Sequence, residues 1–438
     1  MELPGYVKTC LDALEEAGFA AYAVGGCVRD SLLGLQPTDY DLCTAALPEQ
    51  TEEIFKNHTL VLAGKKHGTV GVVTGGGVVE ITTFRTEGGY QDNRHPEWVK
   101  FVSDIEGDLA RRDFTVNAMA WSPRRGFADP FGGRADLESR ILRAVGDPET
   151  RFREDSLRIL RGARFAAKYR LTPEPHTKDA MFRLAGLMDN LARERVFEEL
   201  CKLLLCATAD DLGIFSPVVT AAVPELAGAV GFDQRSPHHR YDVYTHIAHV
   251  VESVPATLPL RWAALLHDVG KVAAFTTDET GRGHFYGHAK ISAEMADEIL
   301  HRLKAPTALR ERAVFLIEKH MLRLTPDRKL LRRRLSQFGV EATNQLLQLQ
   351  QADFSSKGVT GDHADFAGVE RLLREIEAEN ACLTVRDLAI SGHDLMALGY
   401  TGREIGKCQE YLLNLVIDEV IPNEKYALLN SVKKRESP

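Results

Sequence analysis

The sequence predicts an α/β domain at the N-terminus followed by an all-helical remainder. Short β-branched segments bounded by Gly or Pro follow an initial helical pattern up to about residue 140, and they stop by about residue 150. Beyond that point apolar residues recur at the spacing of amphipathic helices. A chain of 438 residues corresponds to two to four domains of roughly 100–200 residues. We expect four parts, at residues 1–140, 141–240, 241–355 and 356–438.

The first part begins with a helical pattern over residues 6–20 and continues as strands. Gly75-Gly76-Gly77 lies between two of these strands. It favours a hairpin turn over a phosphate-binding loop, because neither a helix start nor a P-loop lysine follows it. The predicted strands are 21–24, 39–42, 69–74, 78–85 and 99–102.

The remainder of the chain is predicted to be helical, with breaks at 208–240, 275–288 and 355–364 where Gly or Pro interrupts the pattern. The short basic tail Lys433-Lys434-Arg435 is expected to be disordered. The predicted helices are 151–168, 176–189, 192–205, 243–255, 259–268, 290–303, 308–322, 328–336, 341–352, 366–379 and 403–420.

The composition, 44% hydrophobic and 26% charged, is typical of a soluble protein. The longest apolar runs, 19–24 and 262–266, are far shorter than the ~18 residues of a transmembrane helix. The N-terminus lacks the basic and apolar regions of a signal peptide, and the seven cysteines form no C-x-x-C pair. We therefore expect a cytoplasmic protein. Because the net charge is −8, any binding of nucleic acid requires local basic patches.

Three carboxylates of the first part are candidate catalytic residues. Asp39 and Asp41 alternate on a predicted strand, so they project together, and Glu80 comes from another strand. Carboxylates this close repel each other unless cations lie between them, and two ions roughly 3.5–4 Å apart suit nucleotidyl transfer. Gly25-Gly26 lets backbone N–H groups approach a phosphate. A D-x-D pair alone is more often a solvated strand or turn.

Further motifs favour the catalytic interpretation of these carboxylates. They are Gly25-Gly26-Cys27-Val28-Arg29-Asp30, Arg111-Arg112-Asp113-Phe114-Thr115-Val116-Asn117-Ala118, Asp129-Pro130-Phe131-Gly132-Gly133-Arg134 and Arg153-Glu154-Asp155-Ser156-Leu157-Arg158. In this order they resemble the class II tRNA nucleotidyltransferases, the CCA-adding enzymes and their poly(A) polymerase relatives, over residues 18–205. The resemblance implies a head with the DNA polymerase beta-type nucleotidyltransferase fold, followed by an all-α neck, body and tail.

Asp155 and Arg158 are three residues apart on a predicted helix and share a face. A carboxylate beside a guanidinium presents an acceptor beside donors. Cytosine and adenine both offer an amino donor beside a ring-nitrogen acceptor, whereas uracil and guanine offer the reverse order. The pair would therefore accept CTP and ATP and reject UTP and GTP, because a reversed pattern leaves polar groups unpaired. The alternative is an ordinary surface ion pair worth ~0.3–0.5 kcal/mol.

The resemblance implies further nucleotide-binding residues. Arg112 and Asp113 are expected to contact the sugar and phosphates, with Asn117 in support. Arg161 and Arg164 either meet the triphosphate or form structural ion pairs. The run Arg193-Glu194-Arg195-Val196-Phe197-Glu198-Glu199 resembles the last family motif, which braces the preceding helix. The full expected nucleotide-binding set is Gly25, Gly26, Arg29, Arg112, Asp113, Asn117, Asp155, Arg158, Arg161 and Arg164.

Two segments bear on the product. The polar stretch 85–96 contains Gly88-Gly89 and is expected to be an irregular mobile loop, which fits the loop that the family uses to switch from C to A addition. The poly(A) polymerases of the family carry a basic-basic-phenylalanine pattern after the second strand, whereas this chain has Lys65-Lys66-His67. The resemblance is therefore to the CCA-adding form.

A second set of metal-type residues lies in the third part. His246, His267, Asp268 and Asp353 resemble the metal ligands of the HD superfamily of phosphohydrolases, and His288 and His320 are candidates for a second ion. Imidazoles and carboxylates suit Mn, Ni, Co, Fe or Mg rather than a thiolate zinc site. The His-Asp dyad predicts the HD fold, with hydrolysis and a catalytically silent domain both open. Removal of a 2′,3′-cyclic or terminal phosphate is the expected reaction of a working site.

Basic residues on two predicted helices are candidates for phosphate contact with tRNA, the alternative being a solvated helix face. They are Lys319, Arg323, Arg328, Lys329, Arg332, Arg333 and Arg334. The segment 390–423 resembles the family's C-terminal region, which supports the tRNA elbow.

Together these observations predict an enzyme that adds C, C and A to the 3′ end of tRNA without a template. The tRNA hydroxyl attacks the α-phosphate of CTP or ATP, Mg²⁺ lies on Asp39 and Asp41, and pyrophosphate leaves. The alternatives are a poly(A) or A-adding polymerase, an HD phosphohydrolase that acts on RNA ends or nucleotides, and a non-catalytic RNA-binding module.

Overall fold

A seven-stranded mixed sheet forms the centre of the N-terminal part of the chain. The structure is a computed structural model that describes residues 1–90, 96–237, 239–357 and 365–436. The chain divides into two compact units. The first contains residues 1–227 and 302–305, and the second contains residues 228–301 and 306–438. The four-part division of the chain stays a prediction.

The sheet of the first unit has the strand order β3-β4-β5-β2-β1-β8-β9. Its β2 and β5 run parallel and the other neighbouring pairs run antiparallel. The strands are β1 (Ala21–Val24), β2 (Asp41–Thr44), β3 (Thr59–Val61), β4 (Thr69–Thr74), β5 (Gly77–Thr83), β6 (Arg85–Tyr90), β7 (Pro96–Phe101), β8 (Ala120–Ser122), β9 (Gly126–Ala128), β10 (Ile141–Leu142) and β11 (Thr172–Pro173).

Helices cover this sheet and continue beyond it within the first unit. They are α1 (Gly5–Glu16), α2 (Gly26–Leu32), α3 (Pro48–Ile54), α4 (Ile105–Ala110), α5 (Gly133–Glu138), α6 (Pro148–Glu154), α7 (Leu157–Tyr169), α8 (Pro175–Arg183), α9 (Arg193–Leu204), α10 (Ala209–Ile214) and α11 (Ser216–Ala222). One core cluster joins the sheet to α4 and contains Val24, Cys43, Phe84 and Leu109.

The second unit is helical apart from one short hairpin. Its elements are α12 (Val243–Ser253), α13 (Leu258–Leu266), α14 (Lys271–Ala274), β12 (Thr276–Thr277), β13 (Gly283–His284), α15 (His288–Arg302), α16 (Thr307–Lys319), α17 (Arg328–Phe338), α18 (Val340–Ser355), α19 (Phe366–Ala378), α20 (Gly392–Met396), α21 (Arg403–Ile417) and α22 (Lys425–Glu436). None of the helices in the described residues combines the length and apolarity needed to span a membrane.

Most predicted elements are confirmed to within a few residues, including the hairpin turn at Gly75-Gly76, where Thr74 pairs with Gly77. The predicted strand over 39–42 is shifted, because β2 begins at Asp41. The exclusion of strands beyond residue 150 was wrong for β11, β12 and β13, each only two residues long. The disorder expected at 433–435 stays a prediction.

The predicted continuous helix over 151–168 is broken at Asp155. That residue has φ −139° and ψ 102°, so α6 ends before it and α7 begins two residues after it. Its Oδ1 accepts a hydrogen bond of 3.1 Å from the backbone N–H of Leu157. Such side-chain-to-backbone bonds compete with helical ones, which explains the break. Asp155 and Arg158 therefore do not belong to one uninterrupted helix.

The stretch expected to be an irregular loop is largely regular. Arg85–Tyr90 forms β6, which pairs antiparallel with β7, Pro96–Phe101. Glycines and polar side chains lower the propensity for a strand, but the backbone hydrogen bonds between two strands outweigh that preference. Residues 91–95 of the expected loop lie outside the described residues.

Candidate functional site

A polar cleft of about 520 Å³ in the first unit gathers most of the predicted site residues. It is lined by Gly25, Gly26, Arg29, Asp39, Asp41, Arg112, Asp113, Asn117, Asp155, Arg158, Arg161 and Arg164. Eight further lining residues were not predicted as site residues: Asp30, Thr38, Arg111, Leu157, Phe165, Lys168, Tyr169 and Arg195. Strands, short helices and α7 supply these side chains from across residues 25–195, so the cleft exists only in the folded unit.

Gly25 ends β1 and caps α2 in a conformation that favours glycine. Its φ is +73°, and a Cβ at this position would lie 2.8 Å from Nη1 of Arg112. The N–H of Gly25 donates to the carbonyl of Met119 at 3.0 Å. That bond occupies the Gly25 donor, so the close approach of Arg112 is the clearer reason for a glycine here.

Asp41 is the first residue of β2, and Asp39 lies two residues before it, just outside the strand. Both are exposed while Tyr40 between them is buried, as the predicted alternation requires. Asp41 is in register with Glu80 on the parallel neighbour β5. Desolvation raises the pKa of Asp41 to about 6, and the charges of Asp39 and Glu80 act in the same direction against Arg112. Repelling carboxylates of this kind form an oxygen donor set that suits a hard divalent cation.

The three carboxylates do not converge on one point. In the part of the chain that the structure describes, two groups of three potential ligands have donor atoms within 4.8 Å of one another, and neither group lies in this cleft. Glu80 is exposed and is not among the residues that line the cleft. The geometry therefore supports Asp39 and Asp41 more strongly than Glu80 as metal ligands.

Asp113 anchors the floor of the cleft. Its Oδ2 accepts two hydrogen bonds from Arg161, of 2.9 Å from Nε and 2.7 Å from Nη2. Its Oδ1 accepts from Nδ2 of Asn117 at 3.0 Å and from the backbone N–H of Phe114 at 2.8 Å. Burial alone would raise the pKa of Asp113, but the charge of Arg161 and these hydrogen bonds lower it to about 2. Asp113 is therefore ionised and holds Arg161 in place.

Arg29 is buried and donates hydrogen bonds to three side chains. It donates to Asn117 Oδ1, to the hydroxyl of Tyr169 at 2.5 Å and from Nε to Asp30 at 2.8 Å. Its guanidinium also lies 4.1 Å from the ring centroid of Tyr169, as in cation–π contacts. These contacts link α2 to α7, so the structure places Arg29 in a supporting network at the edge of the cleft.

The predicted base-reading pair lies at the junction of α6 and α7. Asp155 is braced by Arg195, whose Nη2 donates to Oδ2 at 3.0 Å. Arg158 is 8% exposed and donates to Glu154 Oε2 at 2.9 Å and to the carbonyl of Arg111 at 2.8 Å. Both side chains line the cleft, and their partners hold them without using all of their hydrogen-bonding capacity. The pair can still present an acceptor beside donors.

The two remaining arginines of α7 form ion pairs. Arg161 bonds to Asp113, as above, and Arg164 donates to Oε2 of Glu199 at 2.6 Å. Because Glu199 and Arg195 both belong to α9, that helix bonds to Arg164 on α7 and to Asp155 at the junction of α6 and α7. These contacts agree with the expected bracing role of the last motif. Arg195 was not predicted as a cleft residue, although its place in that motif marks it.

A second site in the second unit brings together all six predicted metal-type residues. Five of them, His246, His267, Asp268, His288 and His320, are at most 7% exposed. Asp268 is central: its Oδ2 lies 3.4 Å from Nε2 of His246 and 3.2 Å from Nε2 of His267, and its Oδ1 lies 3.3 Å from Nε2 of His288. His246 Nε2 is also 3.0 Å from Oδ1 of Asp353, and His288 Nε2 is 3.2 Å from His320 Nε2. We name these six residues the HD cluster.

Backbone carbonyls orient the histidines of the HD cluster. Nδ1 of His267, His288 and His320 lies 2.7–2.8 Å from the carbonyl three residues earlier in each case. A proton on Nδ1 leaves the Nε2 lone pair free to bind an ion, which is the arrangement found around bound metals. Nε2 of His246 and His267 and Oδ2 of Asp268 are buried and make no well-aligned hydrogen bond in the described residues, although they lie close to one another and Asp268 Oδ2 is 2.7 Å from Nζ of Lys271. Buried donor atoms that crowd together in this way fit a divalent cation between them.

The electrostatics of the HD cluster favour the metal-binding forms of Asp268 and His320. His267 differs, because burial would lower its pKa but the charges of Asp268 and Asp353 raise it, so an ion would have to displace its proton. Burial would raise the pKa of Asp268, but His267 and Lys271 hold it well below its usual range. Burial, with the charge of His267 in the same direction, lowers the pKa of His320 to about 4, which keeps that imidazole neutral. Carboxylates and neutral imidazoles are the forms that bind cations.

Two residues beside the HD cluster were missed as site residues. Lys271 places its Nζ 2.7 Å from Asp268 Oδ2 and 2.9 Å from Gln234 Oε1. His239 stacks edge-on to His246 with ring centroids 5.4 Å apart, and burial together with the charge of Lys271 lowers its pKa to about 3. The position of Lys271, three residues after the His-Asp dyad, was the sequence feature that could have marked it.

Three of the predicted tRNA-contacting arginines are ion-paired instead. Arg332 and Arg333 on α17 bond to Glu419 and Asp418, each at 2.7–2.8 Å. Arg328 bonds to Glu419 at 3.0 Å and also to Glu379. For these residues the structure favours the neutralised helix face over phosphate contact.

Comparison with known proteins matches three segments to families. Residues 21–143 match the poly A polymerase head domain, residues 238–353 match the HD domain, and residues 170–212 match the probable RNA and SrmB-binding site of polymerase A.

Some known proteins are similar to this chain over its whole length. A CCA-adding enzyme of Streptococcus mutans is 32% identical over 446 aligned positions, which cover 99% of this chain and 98% of the relative. One from Limosilactobacillus fermentum is 48% identical over 198 residues, 45% of this chain and 49% of its own. The crystal structure of the Bacillus stearothermophilus CCA-adding enzyme in complex with CTP superposes with a TM-score of 0.76 at 28% identity, and covers 100% of this chain and 99% of its own. This chain therefore belongs to the family of CCA-adding enzymes.

Proposed function

We propose that this protein adds C, C and A to the 3′ end of tRNA, using CTP and ATP and releasing pyrophosphate. The observation that carries the proposal is the shared lining of one cleft: Asp39 and Asp41 lie in the same cavity as Asp155 and Arg158. A catalytic carboxylate pair and a base-reading pair in one cavity allow the protein itself to select the nucleotide. No nucleic-acid template is then needed.

The first of these pairs serves the chemistry. Asp39 and Asp41 would hold Mg²⁺, which lowers the pKa of an attacking hydroxyl and neutralises charge on the triphosphate. Arg112, within reach of the Asp41 charge, is placed to bind phosphate oxygens, and Lys168 adds a second cation to the cleft lining. Asp108 bonds to Arg112, and Asp113 bonds to Arg161, so these two arginines are positioned before the substrate arrives.

The second pair serves selection. Asp155 accepts a hydrogen bond from the exocyclic amino group of cytosine or adenine, and Arg158 donates to the adjacent ring nitrogen. UTP and GTP place an acceptor against Asp155 and a donor against Arg158, so both groups lose their partners. A site built around such hydrogen bonds can discriminate by about 10⁴-fold or more.

The test uses purified protein, Mg²⁺, a tRNA that lacks its CCA end and all four nucleoside triphosphates, followed by sequencing of the 3′ ends. Termination at CCA supports the proposal. Long A tails would instead indicate a poly(A) polymerase, and a stop at CC would indicate an enzyme restricted to C.

Because all seven cysteines are free thiols, we propose that the reaction takes place in the reducing cytoplasm.

A second function is supported by the HD cluster. We propose that its six residues hold one or two divalent cations, Mn, Ni, Co, Fe or Mg, and hydrolyse a phosphate ester at an RNA end or on a nucleotide. The buried Nε2 atoms of His246 and His267, both within 3.4 Å of Oδ2 of Asp268, carry this proposal. Release of phosphate from 2′,3′-cyclic or 3′-phosphorylated substrates, measured with each metal in turn, tests it. No hydrolysis with any of the five metals would indicate a silent HD domain.

A further inference from the structure

A pair of aromatic rings lies at the mouth of the HD cluster without a role in the functions above. Tyr286 is 77% exposed, and its ring stacks on His284 with centroids 5.3 Å apart and planes 6° from parallel. Both residues line the same cavity as Asp268 and Asp353. The ring of Tyr286 is thus accessible to a ligand that enters this cavity.

Hydrogen bonds hold the lower ring of the pair in place. Nε2 of His284 lies 2.9 Å from Oδ2 of Asp278, and Nδ1 lies 3.4 Å from the hydroxyl of Tyr286. Asp278 is itself held, because its Oδ1 accepts from the backbone N–H groups of Thr280 and Arg282. The β12–β13 hairpin therefore presents His284 as a rigid backing for Tyr286.

The neighbouring residues connect this ring pair to the HD cluster. Phe285 packs on Phe275 with centroids 5.5 Å apart, which anchors the chain beside Tyr286. The carbonyl of Phe285 lies 2.8 Å from Nδ1 of His288, a member of the HD cluster. Tyr286 thus lies two residues before His288 in the chain, on a segment that is anchored on both sides. A ligand bound at the HD cluster would be close to the exposed ring.

The size and charge of the cavity indicate which part of a ligand enters it. Its volume is about 230 Å³, below the roughly 300–1,000 Å³ of pockets that enclose a whole drug-sized ligand. Lys271 and Lys357 line it together with the acidic and imidazole ligands, so it suits a phosphate and its sugar. A base attached to that sugar would remain at the mouth, where Tyr286 lies.

We propose that Tyr286, backed by His284, is the surface on which the base of a nucleoside phosphate stacks while its phosphate reaches the HD cluster. This inference rests on the proposed hydrolase function of the cluster and names the residue that selects its substrates. Stacking tolerates any base, because every base has a π-face. A free nucleotide and the 3′-terminal nucleotide of an RNA share this chemistry.

Binding of a fluorescent base tests the proposal directly. The probe is 2-aminopurine riboside 3′-phosphate, mixed with protein and Mg²⁺ in a stopped-flow instrument. Its fluorescence should be quenched when the base stacks on the wild-type protein or on Tyr286→Phe. Tyr286→Ala should lose this quenching and bind about 5- to 100-fold more weakly. Nucleotide bound in the other cleft contributes equally to all three proteins. Equal quenching by Tyr286→Ala and the wild type, with equal thermal unfolding midpoints, would overturn the inference.

Two further arms separate this inference from the function on which it rests. Phosphate release should fall in Tyr286→Ala for the nucleotide but not for 1-O-methylribose 3-phosphate, which lacks a base; an equal fall for both would overturn the stacking role. In a third outcome, the wild type hydrolyses neither compound while quenching still requires Tyr286. That result would contradict the proposed hydrolase function and support the proposed stacking site. A short RNA that ends in the same fluorescent nucleotide then shows whether RNA ends bind more tightly than free nucleotides.

Discussion

Arg195 donates a hydrogen bond of 3.0 Å from Nη2 to Oδ2 of Asp155, although 40 positions separate them in the chain. The bond ties the first turn of α9 to the residue at which α6 ends. It orients one of the two side chains proposed to read the incoming base. We therefore expect nucleotide selection to depend on a residue that itself touches no base.

We expect Arg195→Gln to weaken selection without abolishing addition. Without the guanidinium, Asp155 loses a charge-assisted bond, so kcat/KM for CTP and ATP should fall about tenfold and UTP should be used more often. Arg193→Gln is the matched control, because Arg193 lies on the same helix but pairs with Asp189 at 3.8 Å. Equal effects of the two substitutions would contradict the bracing role.

Substitution of Asp155 itself should change which bases are accepted. An amide both donates and accepts, so Asp155→Asn can pair with the carbonyl oxygen of uracil. We expect discrimination against UTP to fall by about 10- to 100-fold in single-turnover incorporation with each triphosphate. The same discrimination as in the wild type would show that Asp155 does not read the base.

Asp41→Ala should reduce nucleotide addition by about 1,000-fold or more, because a metal-binding carboxylate supplies several kcal/mol of transition-state stabilisation. Asp12→Asn is the control, since this carboxylate lies on α1 of the same unit, 3.6 Å from Arg124. Incorporation of labelled CTP into a truncated tRNA measures both. Near-normal addition by Asp41→Ala would rule out the metal assignment.

Divalent ions should stabilise the second unit through the HD cluster. An ion at about 100 times its Kd contributes about 2.7 kcal/mol, which corresponds to a rise of about 5 °C or more in Tm. His267→Gln and Asp353→Asn should lose this shift in calorimetry with Mn²⁺ or Ni²⁺ while retaining CCA addition. His249→Ala is the control, because His249 lies on α12 with His246 but packs against Tyr241 instead. A shift that survives in both cluster variants would place the ion elsewhere.

The ion pair of Asp113 and Arg161 predicts a specific loss of stability in acid. The pKa of Asp113 is about 2 in the folded protein, below the usual value of about 3.9. The pair therefore contributes about 2 kcal/mol above pH ~5, and this contribution disappears as the pH falls from about 5 to about 2. Tm measured against pH should decline less steeply over that window for Asp113→Asn than for the wild type. Parallel profiles would contradict the lowered pKa.

The sequence by itself determined the division into an α/β part and a helical part, and it marked most site residues. The predicted alternation of Asp39, Tyr40 and Asp41 was confirmed by their burial, because it is local to three residues, although of the three only Asp41 belongs to β2. The motifs likewise identified the six residues of the HD cluster. Local patterns failed where other contacts decided the outcome. β6 gained its regularity from pairing with β7, and Asp155 interrupted a helix by accepting a hydrogen bond from the backbone N–H of Leu157.

Only the tertiary structure decided how these residues act on one another. Arg161 and Arg164 allowed two interpretations in the sequence, and the fold paired them with Asp113 and Glu199. The convergence of the HD cluster on Asp268 and the stacking of Tyr286 on His284 were likewise absent from any pattern. The physical reason is that periodicity records which face a side chain occupies on its own element, whereas distance and burial between elements depend on how the whole chain packs.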